Sequence, residues 1–114
     1  MLSKLLSALK GSASPTAIEH DLFADAVLKG ECHVIDVREP HEFEAGRIPN
    51  AQNHPLSSFD PARLPKDKPV VLVCQAGGRS ARALQAAHAA GRTDVVHYPH
   101  GSGGWASRGG KLHR

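Results

Sequence analysis

Residues 70–80 read V-V-L-V-C-Q-A-G-G-R-S, and few local arrangements accommodate that order. Val70, Val71, Leu72 and Val73 form a short apolar run bounded by turn residues, the pattern of a strand buried on both faces. The run delivers Cys74 into a glycine-containing turn, beyond which six alanines between Ala81 and Ala90 favour a helix that packs closely. A thiol held between a strand end and a helix start meets converging backbone N–H groups and the positive end of the helix dipole. Both favour the thiolate. Gly77 and Gly78 permit positive φ and close backbone approach, and Arg79 adds a full positive charge at the rim. Cys74 is therefore a candidate nucleophile in an anion cradle, an arrangement open to several chemistries.

At 114 residues the chain is expected to form one main domain. Aromatic residues make up only 4%, so the core must come from Val, Leu, Ile and Ala. Fourteen basic against eleven acidic residues give a net charge of +3 without any lysine or arginine block. That balance suits a small anionic substrate better than nucleic acid. Two cysteines are too few for a disulfide scaffold and lack the paired spacing of a structural zinc site. The eight histidines are scattered, none at the i, i+4 spacing of a zincin, so neither metal nor cofactor is expected. Cys32 reads as a buried thiol beside a strand.

Residues 1–14 are read as a separate amphipathic segment and linker. Leu2, Leu5, Leu6 and Leu9 fall at helical spacing with Lys4 and Lys10 between them, and G-S-A-S-P follows. The apolar run is too broken for a secretory signal and too short for a membrane span, so a cytoplasmic location is expected.

The domain proper is expected over residues 15–114. Thr16 with Glu19 matches a capping box, so a helix is expected from Thr16, with Ile18, Leu22, Phe23, Ala26 and Val27 on one face and Gly30 as its stop. His33–Val37 reads as a buried strand ending in Asp36 and Arg38, at the sheet edge where ligand sites collect in open α/β folds. A short helix over Glu39–Ala45, a short strand at Ala51–His54 and a small helix over Ser57–Leu64 follow. After the Cys74 turn come a helix from Ser80 to about Gly91, a strand over Asp94–Tyr98, and a glycine-rich loop anchored by Trp105. Alternating helices and strands with short connections imply a mainly parallel sheet covered on both faces.

Three separated motifs resemble the single-domain rhodanese family: V-I-D-V-R-E-P-H-E-F-E-A-G-R-I-P-N-A at 34–51, C-Q-A-G-G-R-S at 74–80, and Gly101 with Trp105. The resemblance implies an α/β domain with a central sheet of about five strands, and a cysteine that carries sulfur as a persulfide. On that pattern Cys74 is the nucleophile. The amides of Gln75, Ala76, Gly77, Gly78, Arg79 and Ser80 form the cradle, Arg79 binds the anionic donor or product, and Asp36 and Arg38 support the site. The chain departs from the pattern at Arg47, Asn50 and His100: Asn50 tolerates the positive φ that the turn needs, and Arg47 and His100 are expected to act on the mouth of the site.

The implied reaction moves sulfane sulfur from a donor such as thiosulfate to cyanide or a thiol, and it needs no general base if the thiolate already exists. None of the scattered histidines is assignable as a base. Two other readings stand beside it. A persulfide relay or docking module would exchange sulfur between proteins. A cysteine-based phosphatase or arsenate reductase fits less well, because only four residues separate Cys74 from Arg79. A redox pair with Cys32 is weaker, since the two cysteines fall at opposite strand ends.

Overall fold

A computed structural model describes residues 16–114; the amphipathic segment expected at 1–14 lies outside the described residues. The element order is α1 (His20–Lys29), β1 (His33–Asp36), α2 (Pro40–Ala45), β2 (Gln52–Asn53), two 3-10 turns (Leu56–Ser58 and Pro61–Arg63), β3 (Val70–Val73), α3 (Gly78–Ala89), β4 (Val95–His97) and α4 (Gly101–Ser107). The four strands pair in the order β2-β1-β3-β4, all parallel. Ile35 lies opposite Leu72, and Leu72 opposite His97.

The expected α/β architecture is present, with the cysteine run at its centre. Val70 to Val73 are fully buried because β3 has strands on both sides and helices over both faces. Side chains alternate along it. Val71 and Val73 join Phe23, Val27, Tyr98 and Trp105 in one core layer, while Val70, Leu72 and Cys74 join Ala83, Leu84 and Ala87 of α3 in the other. Each such aliphatic side chain contributes roughly 1.5–3 kcal/mol on burial. Three of the five aromatic residues lie in the first layer, where Phe23 packs at 4.5 Å from Tyr98 and 5.5 Å from Trp105, centroid to centroid.

The sheet has four strands where about five were expected. Residues 16–18 run extended along the free edge of β4, where Ala17 bridges His97, but they make only two backbone hydrogen bonds before turning away. The same pairing overturns the Thr16–Glu19 capping box: Thr16 is spent on the sheet edge, and α1 starts at His20 with Glu19 at its cap position. Gly30 ends α1 in the left-handed conformation, as expected. The helix expected over Ser57–Leu64 is instead two 3-10 turns, because Pro61 cannot donate in a helix interior and the Asp60 carboxylate caps the second turn at Ala62 N–H. α3 begins at Gly78, two residues before the expected start. The stretch read as a glycine-rich loop around Trp105 is α4. Glycine opposes a helix there, but the Ser102 and Gly103 amides donate to Cys74 and Gln75 carbonyl oxygens and fasten its first turn to the cysteine loop.

Candidate active site

β3 ends at Val73 and α3 starts at Gly78, so the chain must reverse within four residues. Gly77 makes that possible. It sits at φ +101, and a Cβ there would lie 2.5 Å from the Pro99 carbonyl oxygen. Gly78, expected to share this duty, has open space around it and simply begins the helix.

The turn closes on Cys74 Sγ, which accepts the Gly77 N–H at 3.1 Å and the Ser80 N–H at 3.3 Å. The Ser80 hydroxyl lies 3.6 Å away. Cys74 is only 1% exposed. Desolvation by burial pushes its thiol up, but the hydrogen bonds from the Ser80 side chain and from the Ser80, Ala76 and Gly77 amides outweigh that and hold it below the ordinary value of 9.0. The sulfur thus sits at the N-terminus of the twelve-residue α3, where backbone donors stabilise an anion. Cys32 contrasts with it. It lies before β1, at the opposite strand end from Cys74, and burial pushes its thiol up to about 11.

Gln75 turns away from the sulfur: its side-chain oxygen accepts the Ser102 hydroxyl at 3.1 Å and its carbonyl oxygen accepts the Gly103 amide. Arg79 is occupied as well. Its Nη1 and Nη2 donate to Glu42 Oε1 at 2.6 Å and Oε2 at 3.0 Å, so the cation expected to meet an anionic substrate is already paired. Asp36 and Arg38 form a buried fork beneath the neighbouring loop. Arg38 Nε and Nη2 hold both Asp36 oxygens at 2.8–3.0 Å, and Nη2 reaches the Gly46 carbonyl at 2.7 Å. Asn53 Nδ2 donates to the carbonyl oxygens of both residues, and Val37 N–H between them donates to the Val73 carbonyl just before the cysteine.

Arg47, expected at the mouth, lies over the Phe43 ring at 4.9 Å and pairs through its backbone with His113. His100 packs edge-on to Tyr98. Among the described residues neither forms a side-chain hydrogen bond with residues 74–80. Asn50 takes the positive φ of +67 that the turn demands.

Sequence reasoning missed Glu42, Ser102 and His97. Glu42 was legible only as the last residue of R-E-P-H-E, and its partner is 37 positions away. His97 Nδ1 lies 2.9 Å from the Ser80 hydroxyl, a contact that no spacing in the sequence announces.

A parallel α/β sheet that presents a cysteine at its C-terminal edge, inside a loop of inward-facing amides, defines a class of thiol-bearing anion-cradle domains. The family model for the rhodanese-like domain matches residues 19–108, and the chain belongs to that family. The uncharacterized protein YqhL of Bacillus subtilis (strain 168) is 42% identical over 84 residues, covering 72% of this chain and 64% of that protein. The chain therefore spans less than two thirds of that relative. A protein named sulfurtransferase from Allochromatium vinosum is 33% identical over 67% of this chain and 73% of its own. Among solved structures, the human single-domain sulfurtransferase TSTD1 superposes with a TM-score of 0.70 at 26% identity, over 85% of this chain and 98% of that one. No described helix is long and apolar enough to cross a membrane.

Proposed function

We propose that the protein is a sulfurtransferase that carries sulfane sulfur as a persulfide on Cys74. The observation that carries this reading is the pair of backbone N–H groups, from Gly77 and Ser80, converging on a buried sulfur at a helix N-terminus. Such a site stabilises a thiolate. The Cys74 thiolate attacks the outer sulfur of thiosulfate, the S–S bond breaks, and sulfite leaves with the bonding electron pair. Attack by cyanide or a thiolate on the outer persulfide sulfur then releases the Cys74 thiolate again. Loop amides carry the developing charge, so no metal step is needed. The family relationship and the sulfurtransferase names of relatives support the same reaction.

Incubation with thiosulfate followed by intact and peptide mass spectrometry tests the proposal. One added sulfur atom, located on Cys74 and removed by cyanide, is expected. No adduct with thiosulfate or with a persulfide-loaded protein would overturn it.

The Glu42–Arg79 ion pair favours one second reading. With Arg79 neutralised, the pull on a small dianion weakens, and a protein-bound persulfide becomes the better donor. Faster loading from such a donor than from thiosulfate is the outcome that distinguishes a relay module.

A further inference from the structure

The Ser80 hydroxyl has a single proton and three neighbours: His97 Nδ1 at 2.9 Å, the Gly77 carbonyl oxygen at 3.2 Å and Cys74 Sγ at 3.6 Å. Ser80 is fully buried and Cys74 nearly so, whereas His97, at the end of β4, is partly exposed. A buried thiol has no direct route to water for the proton it must lose. The chain Sγ, Oγ, Nδ1 supplies one.

We propose that His97 accepts the Cys74 proton through Ser80, the three residues forming a relay that generates the reactive thiolate. The inference rests on the reading of Cys74 as the sulfur-carrying thiolate and adds the base that reading lacks. In the thiol state S–H donates to Ser80 Oγ, and Oγ–H donates to the bare Nδ1. On transfer the S–H bond breaks as a new O–H bond forms, and the original O–H bond breaks as Nδ1–H forms. The bonding electrons of S–H stay on sulfur, and every hydrogen bond of the chain then points from His97 toward Sγ. No co-reactant is consumed. His97 acts through Ser80 and is a positioning residue rather than one that touches substrate.

Burial holds the His97 imidazole below its ordinary value, which keeps the ring neutral and its lone pair available while Cys74 is a thiol. The elements packed on β4 leave His97 without a competing charge partner among the described residues. β3 is apolar throughout, and residues 16–18 carry no ionisable side chain. On α3, Arg79 is paired with Glu42, Arg82 is exposed, and His88 is held on the Val95 carbonyl oxygen at 2.8 Å. Cys74 is the titratable group that Ser80 links to it.

The test is the rate of Cys74 alkylation by iodoacetamide in the full chain, read by peptide mass spectrometry from about pH 5 to pH 10. His97→Asn is the informative variant, because its side-chain oxygen keeps a hydrogen bond to Ser80 and cannot take the proton. Its alkylation at pH 7 is expected to fall about tenfold, with the midpoint displaced upward by about one pH unit. Ser80→Ala is expected to do the same, Ser80→Thr to restore most of the rate, and the His97→Asn/Ser80→Ala double variant to be no slower than either alone. A wild-type profile in His97→Asn, or additive losses in the double variant, overturns the relay. Persulfide mass on Cys74, measured in parallel, reports separately on the sulfur-transfer reading: the relay fails on the alkylation profile, that reading on the absent adduct.

Discussion

Arg79 and Glu42, thirty-seven positions apart, hold each other in a two-pronged ion pair with N–O distances of 2.6 and 3.0 Å. Hydrogen bonds from Arg79 hold the Glu42 carboxyl at about 2, against the opposing effect of burial and with help from the Glu39 amide, so the pair persists at neutral pH. An anionic donor must compete with Glu42 for the guanidinium. Glu42→Gln is therefore expected to lower KM for thiosulfate about two- to fivefold, the range a partly exposed, solvent-screened ion pair supports. Arg79→Ala should raise it. Steady-state kinetics at two ionic strengths check both, and an unchanged KM in Glu42→Gln would mean that the anion never meets Arg79.

The same pair has a pH signature. The folded pKa of Glu42 lies below the ordinary 4.5, so its contribution to stability is complete above about pH 4.5 and is lost as pH falls toward 2. Urea unfolding across that window is expected to show a steeper loss for wild type than for Glu42→Gln. Parallel curves would remove Arg79–Glu42 as a source of acid sensitivity.

Cys32 and Cys74 are both buried, yet they differ in what surrounds the sulfur. Cys32, pushed up to about 11, has roughly one thiolate in a thousand at pH 8. Cys74 is held below 9.0 by its hydrogen bonds. Native alkylation at pH 8 should mark Cys74 almost alone, and Cys32→Ser should retain most sulfur transfer while Cys74→Ser loses it. Peptide mapping and a thiosulfate:cyanide assay read the two halves. Comparable labelling of Cys32 would show that burial does not protect it.

The strand, turn and helix around Cys74 were legible because hydrophobic run, glycine and alanine follow one another locally. So was the parallel sheet, since β3 with its four buried aliphatics cannot lie at an edge. What escaped reading depended on distant partners. Thr16 looked like a cap but is used by His97 across 81 positions, and the stretch before Trp105 looked like a loop but is fastened through the Ser102 and Gly103 amides to the Cys74 and Gln75 carbonyl oxygens. Arg79 was legible as a cation, but not its occupation by Glu42. The Ser80–His97 contact joins a helix to a strand edge, and local periodicity carries no record of it.

Gly101 and Gly78 are chemically identical and structurally opposite. Gly101 sits at φ +67, and a Cβ there would collide with the Gln75 and Cys74 carbonyl oxygens; at Gly78 a Cβ meets nothing within 4 Å at the first helical position. Gly101→Ala is expected to cost ~1–3 kcal/mol, whereas Gly78→Ala should be neutral or stabilise by ~0.4–1 kcal/mol. Denaturant midpoints compare them directly, and a tolerated Gly101→Ala would show that α4 shifts freely off the cysteine loop.

The buried Asp36–Arg38 fork is the remaining contact where stability and chemistry are separable. Arg38 is 5% exposed and Asp36 fully buried; both Asp36 oxygens are held by Arg38 Nε, Nη2 and the Arg38 amide, and Nη2 also reaches the Gly46 carbonyl oxygen. Removing one charge leaves the other buried without a partner, so Asp36→Asn is expected to cost ~3–5 kcal/mol. Arg38→Lys keeps the charge but loses the planar fork that spans both carboxylate oxygens and Gly46 together, so it should also destabilise, by less. Neither side chain is hydrogen-bonded to the cysteine loop; the link runs through the Val37–Val73 backbone bond. A bracing role predicts lower unfolding midpoints with the Cys74 alkylation rate changed less than twofold at a temperature where the variants stay folded. A tenfold fall in that rate without lost stability would instead place the pair's field among the forces that hold the thiolate.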